Sequence, residues 1–249
     1  MTRTLKHGAK RQLAYDQTQG DGPGVVFLGG FRSDKEGTKA LYLEDWAQRR
    51  GRAYLRFDYS GHGKSSGSFR DGCIGDWAED AAAIISSLTD GPQILVGSSM
   101  GAWISLLIAR EMSEKVAGLV TIAAAPDFTE DGLWSSFDEK QRHQLMTAGQ
   151  IEVPTDYAEA PYVITRRLIE DGRRRLVLRT PLLLPFPTRF LHGTADVDVE
   201  KSVSLRLLEH AAGPDLRLTL VKAADHRFSS PDCLALIVHS IEEVSSRAL

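Results

Sequence analysis

Between Gln93 and Trp103 the chain reads Gln-Ile-Leu-Val-Gly-Ser-Ser-Met-Gly-Ala-Trp, and this stretch limits the possible folds more than any other. An apolar run, bounded upstream by Asp90-Gly91-Pro92, stops at Gly97, and a helix-forming run of Ala, Trp, Ile, Ser and Leu follows Gly101. The pattern predicts a strand, a sharp turn and a helix. Residues 97–101 fit G-x-S-x-G with Ser99 at the centre, the spacing of a turn that lifts a serine hydroxyl above a sheet edge. Such a turn leaves little room for neighbouring Cβ atoms, which accounts for the two glycines. Five positions of common residues do not carry a function by themselves. A serine becomes a useful nucleophile only beside a base, and the remaining sequence must supply that base, an acid to orient it and a site for the developing negative charge.

Strand and helix patterns alternate around this turn. Residues 11–17 suit an edge strand, and Val25-Val26-Phe27-Leu28, ending in Gly29-Gly30, reads as a strand buried on both faces. A helix is expected over about 37–50, closed by Gly51, then a strand at 52–58, a glycine-rich loop at 59–67 and a helix at 74–88. After the turn at Ser99, residues 116–125 form another apolar strand. This alternation predicts an α/β fold with a mostly parallel central sheet and helices on both faces. About sixty residues, 127–187, then precede the next strand at 188–191, too many for a simple connection. They carry helical patterns near 139–148 and 157–170 and a proline-punctuated apolar segment, 182–187. The expectation is a helical cap inserted into a core built from 1–126 and 188–249. A helix at 200–212, stopped by Gly213-Pro214, and a last strand at 216–221 follow. Ser230-Pro231-Asp232 then supplies a cap, a first-turn proline and a first-turn acid for a final helix. Its apolar face is Leu234, Ile237, Val238, Ile241 and Val244.

Composition narrows the class. With 249 residues, 42% hydrophobic and 25% charged, the chain can bury a sizeable core. A net charge of -3 gives no general attraction to nucleic acid or anionic lipid. Cys73 and Cys233 sit in no metal-ligand spacing; a disulfide between them is one reading, and two isolated thiols suit a reducing cytoplasm at least as well. The basic stretch at 1–15 lacks the apolar centre of a secretory signal, and no run approaches the roughly 20 apolar residues of a membrane span. A soluble, cytoplasmic protein with no nucleic-acid partner and no integral membrane association is expected. Gly63-Lys64-Ser65 is not a phosphate loop, because Asp58 stands where that motif needs glycine. Neither G-x-G-x-x-G after a strand nor a Cys/His cluster appears, so no cofactor and no metal are expected. Arg166, Arg167 and Arg173 to Arg175 read as a solvated face of the insertion, with attraction of an anionic substrate as the alternative.

Seven histidines are available as the base. His226 follows the last strand in Ala224-Asp225-His226-Arg227, on the edge where loops after parallel strands gather. His62, in the glycine-rich loop on the same edge, is its competitor. His192 belongs to a strand end, His210 and His239 to helices, His7 to the N-terminal arm and His143 to the insertion. For the orienting acid, Asp196 ends the strand and tight loop Phe190-Leu191-His192-Gly193-Thr194-Ala195-Asp196, with Asp198 and Asp225 as alternatives. The order Ser99, Asp196, His226 is the order that the serine turn requires. Two backbone N–H donors are expected for the developing oxyanion, one from Met100 and one from Gly29-Gly30-Phe31 through Phe31.

Five stretches carry a resemblance: residues 37–40 (Gly-Thr-Lys-Ala), 56–61 (Arg-Phe-Asp-Tyr-Ser-Gly), 90–99, 191–193 (Leu-His-Gly) and 225–227 (Asp-His-Arg). The chain resembles the α/β-hydrolases over about residues 15–243, within the branch of palmitoyl-protein thioesterases and acyl-glucuronide esterases. The resemblance implies the α/β-hydrolase fold and gives Ser99, Asp196 and His226 the roles of nucleophile, acid and base. It does not extend to a long N-terminal transit segment, which fits a bacterial relative, and it is loose over 127–187, where an acyl pocket would be shaped. The expected activity is hydrolysis, through an acyl-enzyme, of a thioester or carboxylic ester with an apolar acyl group, on a small molecule or an acylated protein. The alternatives are a non-catalytic binding protein of the same fold and a serine peptidase, for which no site for a substrate amino terminus is marked. Aspartate at the position of Ser99 would have pointed to dehalogenases or epoxide hydrolases. A histidine base must be neutral, so activity should fall as pH drops below about 6 to 7.

Overall fold

The continuous apolar runs form strands whose successive side chains enter two different cores. A computed structural model describes residues 2–8, 11–155 and 160–248. In chain order its elements are β1 (Arg3–His7), β2 (Arg11–Thr18), β3 (Asp21–Leu28), α1 (Thr38–Arg50), β4 (Arg52–Phe57), α2 (Ile74–Leu88), β5 (Gln93–Ser98), α3 (Met100–Glu111), β6 (Val116–Ile122), α4 (Glu139–Ala148), β7 (Gln150–Val153), β8 (Tyr162–Thr165), α5 (Arg166–Arg173), β9 (Leu182–Leu183), β10 (Thr188–Gly193), α6 (Lys201–His210), β11 (Ala211–Ala212), β12 (Leu216–Val221) and α7 (Pro231–Arg247). Among the described residues, eight strands make one sheet in the order β1-β2-β4-β3-β5-β6-β10-β12. Pairing is antiparallel for β1 with β2 and β2 with β4, and parallel from β4 through β12.

On β3 and β5, Val26, Leu28 and Leu95 join Trp77 and Ile84 of α2 and Trp103 and Leu107 of α3. The intervening Val25, Phe27, Ile94 and Val96 join Leu43 and Trp46 of α1 and Ile237 and Ile241 of α7. Period-two alternation between two apolar partners is what a sheet covered on both faces demands. Helix ends follow their local chemistry. Gly51, at φ 63°, closes α1 with its N–H on the Ala47 and Gln48 carbonyls, and the Ser230 side chain accepts the Cys233 N–H ahead of Pro231 to start α7.

Several elements differ from the sequence expectation. β1 pairs outside β2, so the strand expected at the edge over 11–17 lies one place in from it, and residues 3–7 gave no strand signal. The strand expected over 116–125 ends at Ile122, where Ala123, at φ 47°, leaves extended geometry. Of the helix expected at 157–170, residues 156–159 lie outside the described part. Tyr162-Val163-Ile164-Thr165 pairs antiparallel with β7 instead, in the register Ile151↔Ile164. Aromatic and β-branched residues favour that pleated arrangement, and the Thr165 hydroxyl then caps α5 by accepting the Leu168 N–H at 3.2 Å. The helix expected at 200–212 stops at His210, because Ala211-Ala212 pairs in parallel with Leu182-Leu183. Thr129–Trp134 winds as a π-type turn that no sequence signal announced.

The long connection from β6 to β10 shares the core of α2 and α3 through Phe137, Leu145, Ile164, Leu168, Ile169 and Val177. Two buried carboxylates tie it down. Asp127 accepts the N–H groups of Val177 at 2.8 Å and Leu178 at 3.0 Å, and Asp171 accepts the Gly75 N–H at 2.6 Å. The arginine run is taken up by the protein's own acids: Arg166 by Glu170, Arg167 by Asp76, Arg173 by Glu130, and Arg174 and Arg175 by Asp171. These pairings leave the anionic-substrate alternative without support, since none of the five lines the cavity beside Ser99.

Candidate active site

All the loops that leave the carboxyl ends of β3, β5, β10 and β12 emerge on one rim, since these strands run parallel with Leu28 beside Gly97 and Gly193 beside Val221. At the end of β5 the chain reverses through Ser99, at φ 53° and ψ -116°. That region is costly for a residue with a Cβ, about 1–3 kcal/mol, and must be held from outside. The Ser99 N–H donates to the Ile122 carbonyl at 2.9 Å, and its carbonyl accepts from Ala102 at 3.0 Å and Ala125 at 3.3 Å. The flanking glycines are required by contact. A Cβ on Gly97 would lie 2.6 Å from Ala102 Cα, and one on Gly101 would lie 2.1 Å from the Leu28 carbonyl oxygen.

Gly193 brings the two other loops together. A Cβ there would lie 2.1 Å from the Ala224 carbonyl oxygen, which instead accepts the Ala195 N–H at 3.0 Å. This close approach places Asp196 beside His226. His226 Nδ1 lies 2.8 Å from Asp196 Oδ2, and Nε2 lies 3.1 Å from Ser99 Oγ. A carboxylate only accepts, so Nδ1 carries the proton and Nε2 is left to accept from the Ser99 hydroxyl. The other oxygen of Asp196 accepts the N–H groups of Asp198 at 3.0 Å and Val199 at 2.9 Å. Burial works to raise the Asp196 pKa, but the His226 bond, the Val199 N–H and the His226 charge together outweigh it and the net direction is down. Of the two alternative acids, Asp225 accepts the Phe228 N–H and shapes the turn, and Asp198 donates its backbone N–H to Asp196. Asp196, Asp198 and His226 offer ligand atoms within 4.8 Å of one another. A metal held there would have to displace the His226–Asp196 bond.

Ser99, His226, Phe31 and Met100 line one cavity of about 790 Å³. Met100 opens α3, so its N–H has no partner within the helix. Gly30 lies against the serine, since a Cβ on it would stand 3.5 Å from Ser99 Cβ, and the next peptide bears the Phe31 N–H. Phe31, Phe128, Leu133, Val153, Tyr162 and Ile164 form an apolar wall, mostly from the β6–β10 connection. Facing chemistry differs on the side of α1, where Arg32, Thr38, Lys39, Arg227 and Ser229 are polar. Lys39 was not singled out chemically by the sequence. Its Nζ donates to the Arg227 carbonyl and ties the first turn of α1 to the loop bearing His226, and burial pushes its pKa down to about 8. His192, inside the Leu-His-Gly stretch but given no role from the sequence, is a second support: Nε2 donates to the Val199 carbonyl and Nδ1 accepts from Ser204 Oγ, at 2.9 and 2.7 Å, pinning the loop that presents Asp196.

His62, the competing base, is bound elsewhere. Nε2 is 3.3 Å from the Arg32 backbone nitrogen and Nδ1 is 3.2 Å from the Ser60 carbonyl oxygen, while Tyr59, Phe69 and Trp77 surround the ring. Burial pushes its pKa from 6.5 down to about 4; Arg32 adds to the fall, and the Ser60 carbonyl and Asp80 oppose it. Burial also lowers His192. Below about pH 6.5 the unfolded chain protonates His62 and the folded chain does not until about pH 4, so stability should decline as pH drops from 6.5 toward 4, and the lowered His192 acts in the same direction. His62 contributes up to about 3 kcal/mol of that decline. Urea unfolding between pH 7.5 and 4.5 measures it, and His62→Phe should flatten the dependence. An unchanged slope in that variant would remove His62 from the explanation.

The sequence matches the Alpha/beta hydrolase family over residues 25–241. The chain belongs to the alpha/beta hydrolase family. Consistent with that, it is 34% identical over 236 residues to the mitochondrial palmitoyl-protein thioesterase ABHD10 of Bos taurus, covering 93% of this chain and 76% of the relative. A solved structure from Agrobacterium vitis S4 superimposes with a TM-score of 0.93 at 38% identity, covering 98% of each chain. Mouse alpha/beta hydrolase domain-containing protein 10 gives a TM-score of 0.93 at 30% identity over the full length of both chains. This alpha/beta hydrolase is thus an enzyme of the hydrolase class, within the branch that the sequence motifs suggested.

Proposed function

We propose that this alpha/beta hydrolase cleaves thioesters or carboxylic esters with an apolar acyl group through a serine acyl-enzyme. The observation that carries the reading is the unbroken line from Asp196 through His226 to Ser99, bonded at 2.8 and 3.1 Å at the edge of an apolar-walled cavity. Ser99 Oγ attacks the acyl carbon as His226 Nε2 takes its proton. Asp196 keeps the ring in the tautomer that can do so and stabilises the imidazolium formed. The carbonyl oxygen gains charge between the Phe31 and Met100 N–H groups, which act more strongly on the oxyanion than on the neutral carbonyl. His226 then returns the proton to the leaving thiolate or alkoxide and activates the water that releases the acid. No cofactor enters these steps. Residues 127–187 act as the cap that shapes the acyl side, over a core of 1–126 and 188–249. The bovine relative's name supports a thioester as substrate.

A chain-length series of acyl thioesters with matched oxygen esters tests the acyl side. A cavity of about 790 Å³ lies within the roughly 300–1,000 Å³ range of small-molecule sites. Each methylene buried against Phe128, Leu133 and Ile164 is worth about 0.8 kcal/mol, or about fourfold in kcat/KM. Hexanoyl should therefore exceed acetyl by about 100-fold or more. A preference for acetyl would sink this part of the reading.

A further inference from the structure

His62 has a second connection to the chemistry, distinct from the role of base that its loop position suggested. A backbone carbonyl only accepts, so its contact with Ser60 fixes the ring proton on Nδ1 and leaves Nε2 to accept the Arg32 N–H. The ring is 3% exposed and is held from behind. Asp80 Oδ2 accepts both the Ser60 N–H at 2.8 Å and the Ser60 hydroxyl at 2.6 Å, and the Trp77 indole N–H donates to the same Ser60 carbonyl at 3.1 Å. On the far side, Arg32 sits at φ 57°, a left-handed conformation that a residue with a Cβ adopts at a cost of about 1–3 kcal/mol unless its surroundings hold it. Its guanidinium lies over the Phe69 ring at 5.2 Å and the Tyr162 ring at 5.0 Å. Phe31, the residue before it, meets Phe69, Phe128 and Tyr162 edge to face at 4.8, 5.6 and 5.7 Å.

We propose that His62 is a positioning residue for oxyanion stabilisation: by holding the Arg32 N–H it fixes the strained turn at 31–32 and so aims the preceding Phe31 N–H at the developing negative charge. The proposal rests on the serine-hydrolase reading above. A rigid aromatic box alone would keep the turn in place without any demand on the ring nitrogen. The buried Asp80–Ser60–His62 chain imposes such a demand, because it orients the imidazole so that its only free acceptor faces Arg32. Donor aim matters most when charge has built up, so its loss should appear in kcat rather than in KM.

The test compares the wild type with His62→Phe and His62→Gln on the best thioester of the chain-length series, with Ser99→Ala in parallel. Phenylalanine refills the aromatic box without an acceptor, whereas the glutamine Oε1 reaches the place of Nε2. His62→Phe is expected to lose about 10- to 100-fold in kcat with KM within about twofold, below the 10²–10³-fold cost of deleting an oxyanion donor outright. His62→Gln should recover most of the loss. A through-hydrogen-bond ¹⁵N–¹⁵N coupling between the Arg32 amide and His62 Nε2 is expected in the wild-type protein, and this readout needs no variant to fold. Full kcat in folded His62→Phe, equal losses in both variants, a loss confined to KM, or absence of the coupling would each overturn the proposal. Turnover retained by Ser99→Ala would instead remove the serine-hydrolase reading, whatever the His62 variants do.

Discussion

Ser99→Ala is expected to lower kcat by about 10⁵- to 10⁶-fold while leaving the fold intact. Alanine keeps the Cβ that the turn at φ 53° already accommodates, and the backbone bonds to Ile122, Ala102 and Ala125 do not involve the hydroxyl. What disappears is the atom that His226 Nε2 faces at 3.1 Å. Residual turnover above the uncatalysed rate would come from water placed near the Phe31 and Met100 N–H groups. Steady-state kinetics on a thioester, with thermal unfolding as the control, measures the loss. A folded variant with more than about one-hundredth of wild-type kcat contradicts a nucleophilic role for Ser99, since losing a nucleophile costs far more than that.

Asp196→Asn should cost about 10⁴-fold in kcat, and the structure gives a specific reason. The carboxylate accepts from three directions: His226 Nδ1 on one oxygen, and the Asp198 and Val199 N–H groups on the other. An asparagine has one oxygen. If that oxygen serves the two backbone N–H groups, the amide NH₂ faces His226 and drives the ring proton to Nε2, where it can no longer accept from Ser99. If it serves His226, the exposed Asp198 N–H and the partly buried Val199 N–H face an NH₂, and the buried one costs about 1–3 kcal/mol in stability. The first arrangement predicts an enzyme that folds well and turns over slowly. Wild-type kcat in Asp196→Asn would pass the acid's role to Asp198, which lines the same cavity.

Much of this arrangement was legible because it depends on local chemistry and strand order. The turn at Ser99 is written in glycines that have no space for a Cβ, and parallel strands bring the loops after β5, β10 and β12 to one rim wherever they lie in the sequence. His226 and Asp196 could be placed on that logic. The glycine pair that positions the Phe31 peptide follows from the same logic. Tertiary context decided the rest. Residues 162–165 became strand because β7 offered an edge, which a helical period over 157–170 could not anticipate. The task of Lys39 is set by Arg227, 188 residues on, and that of His192 by Val199 and Ser204 across the loop and helix that follow it, and no spacing announces either. His62 illustrates the limit most clearly. Its loop lies on the correct rim, yet the Ser60 carbonyl and the Arg32 N–H claim both ring nitrogens, an outcome fixed by tertiary contacts that no local pattern encodes.

The acyl-enzyme offers the most direct test. Wild-type protein mixed with its best thioester and quenched in acid within milliseconds should gain the mass of one acyl group, and peptide mapping should locate it on Ser99. Asp196→Asn should accumulate the same adduct more slowly, and Ser99→Ala should gain none. An acyl group found on another side chain, or full-rate turnover with no adduct and an intact Ser99→Ala enzyme, would contradict the serine acyl-enzyme.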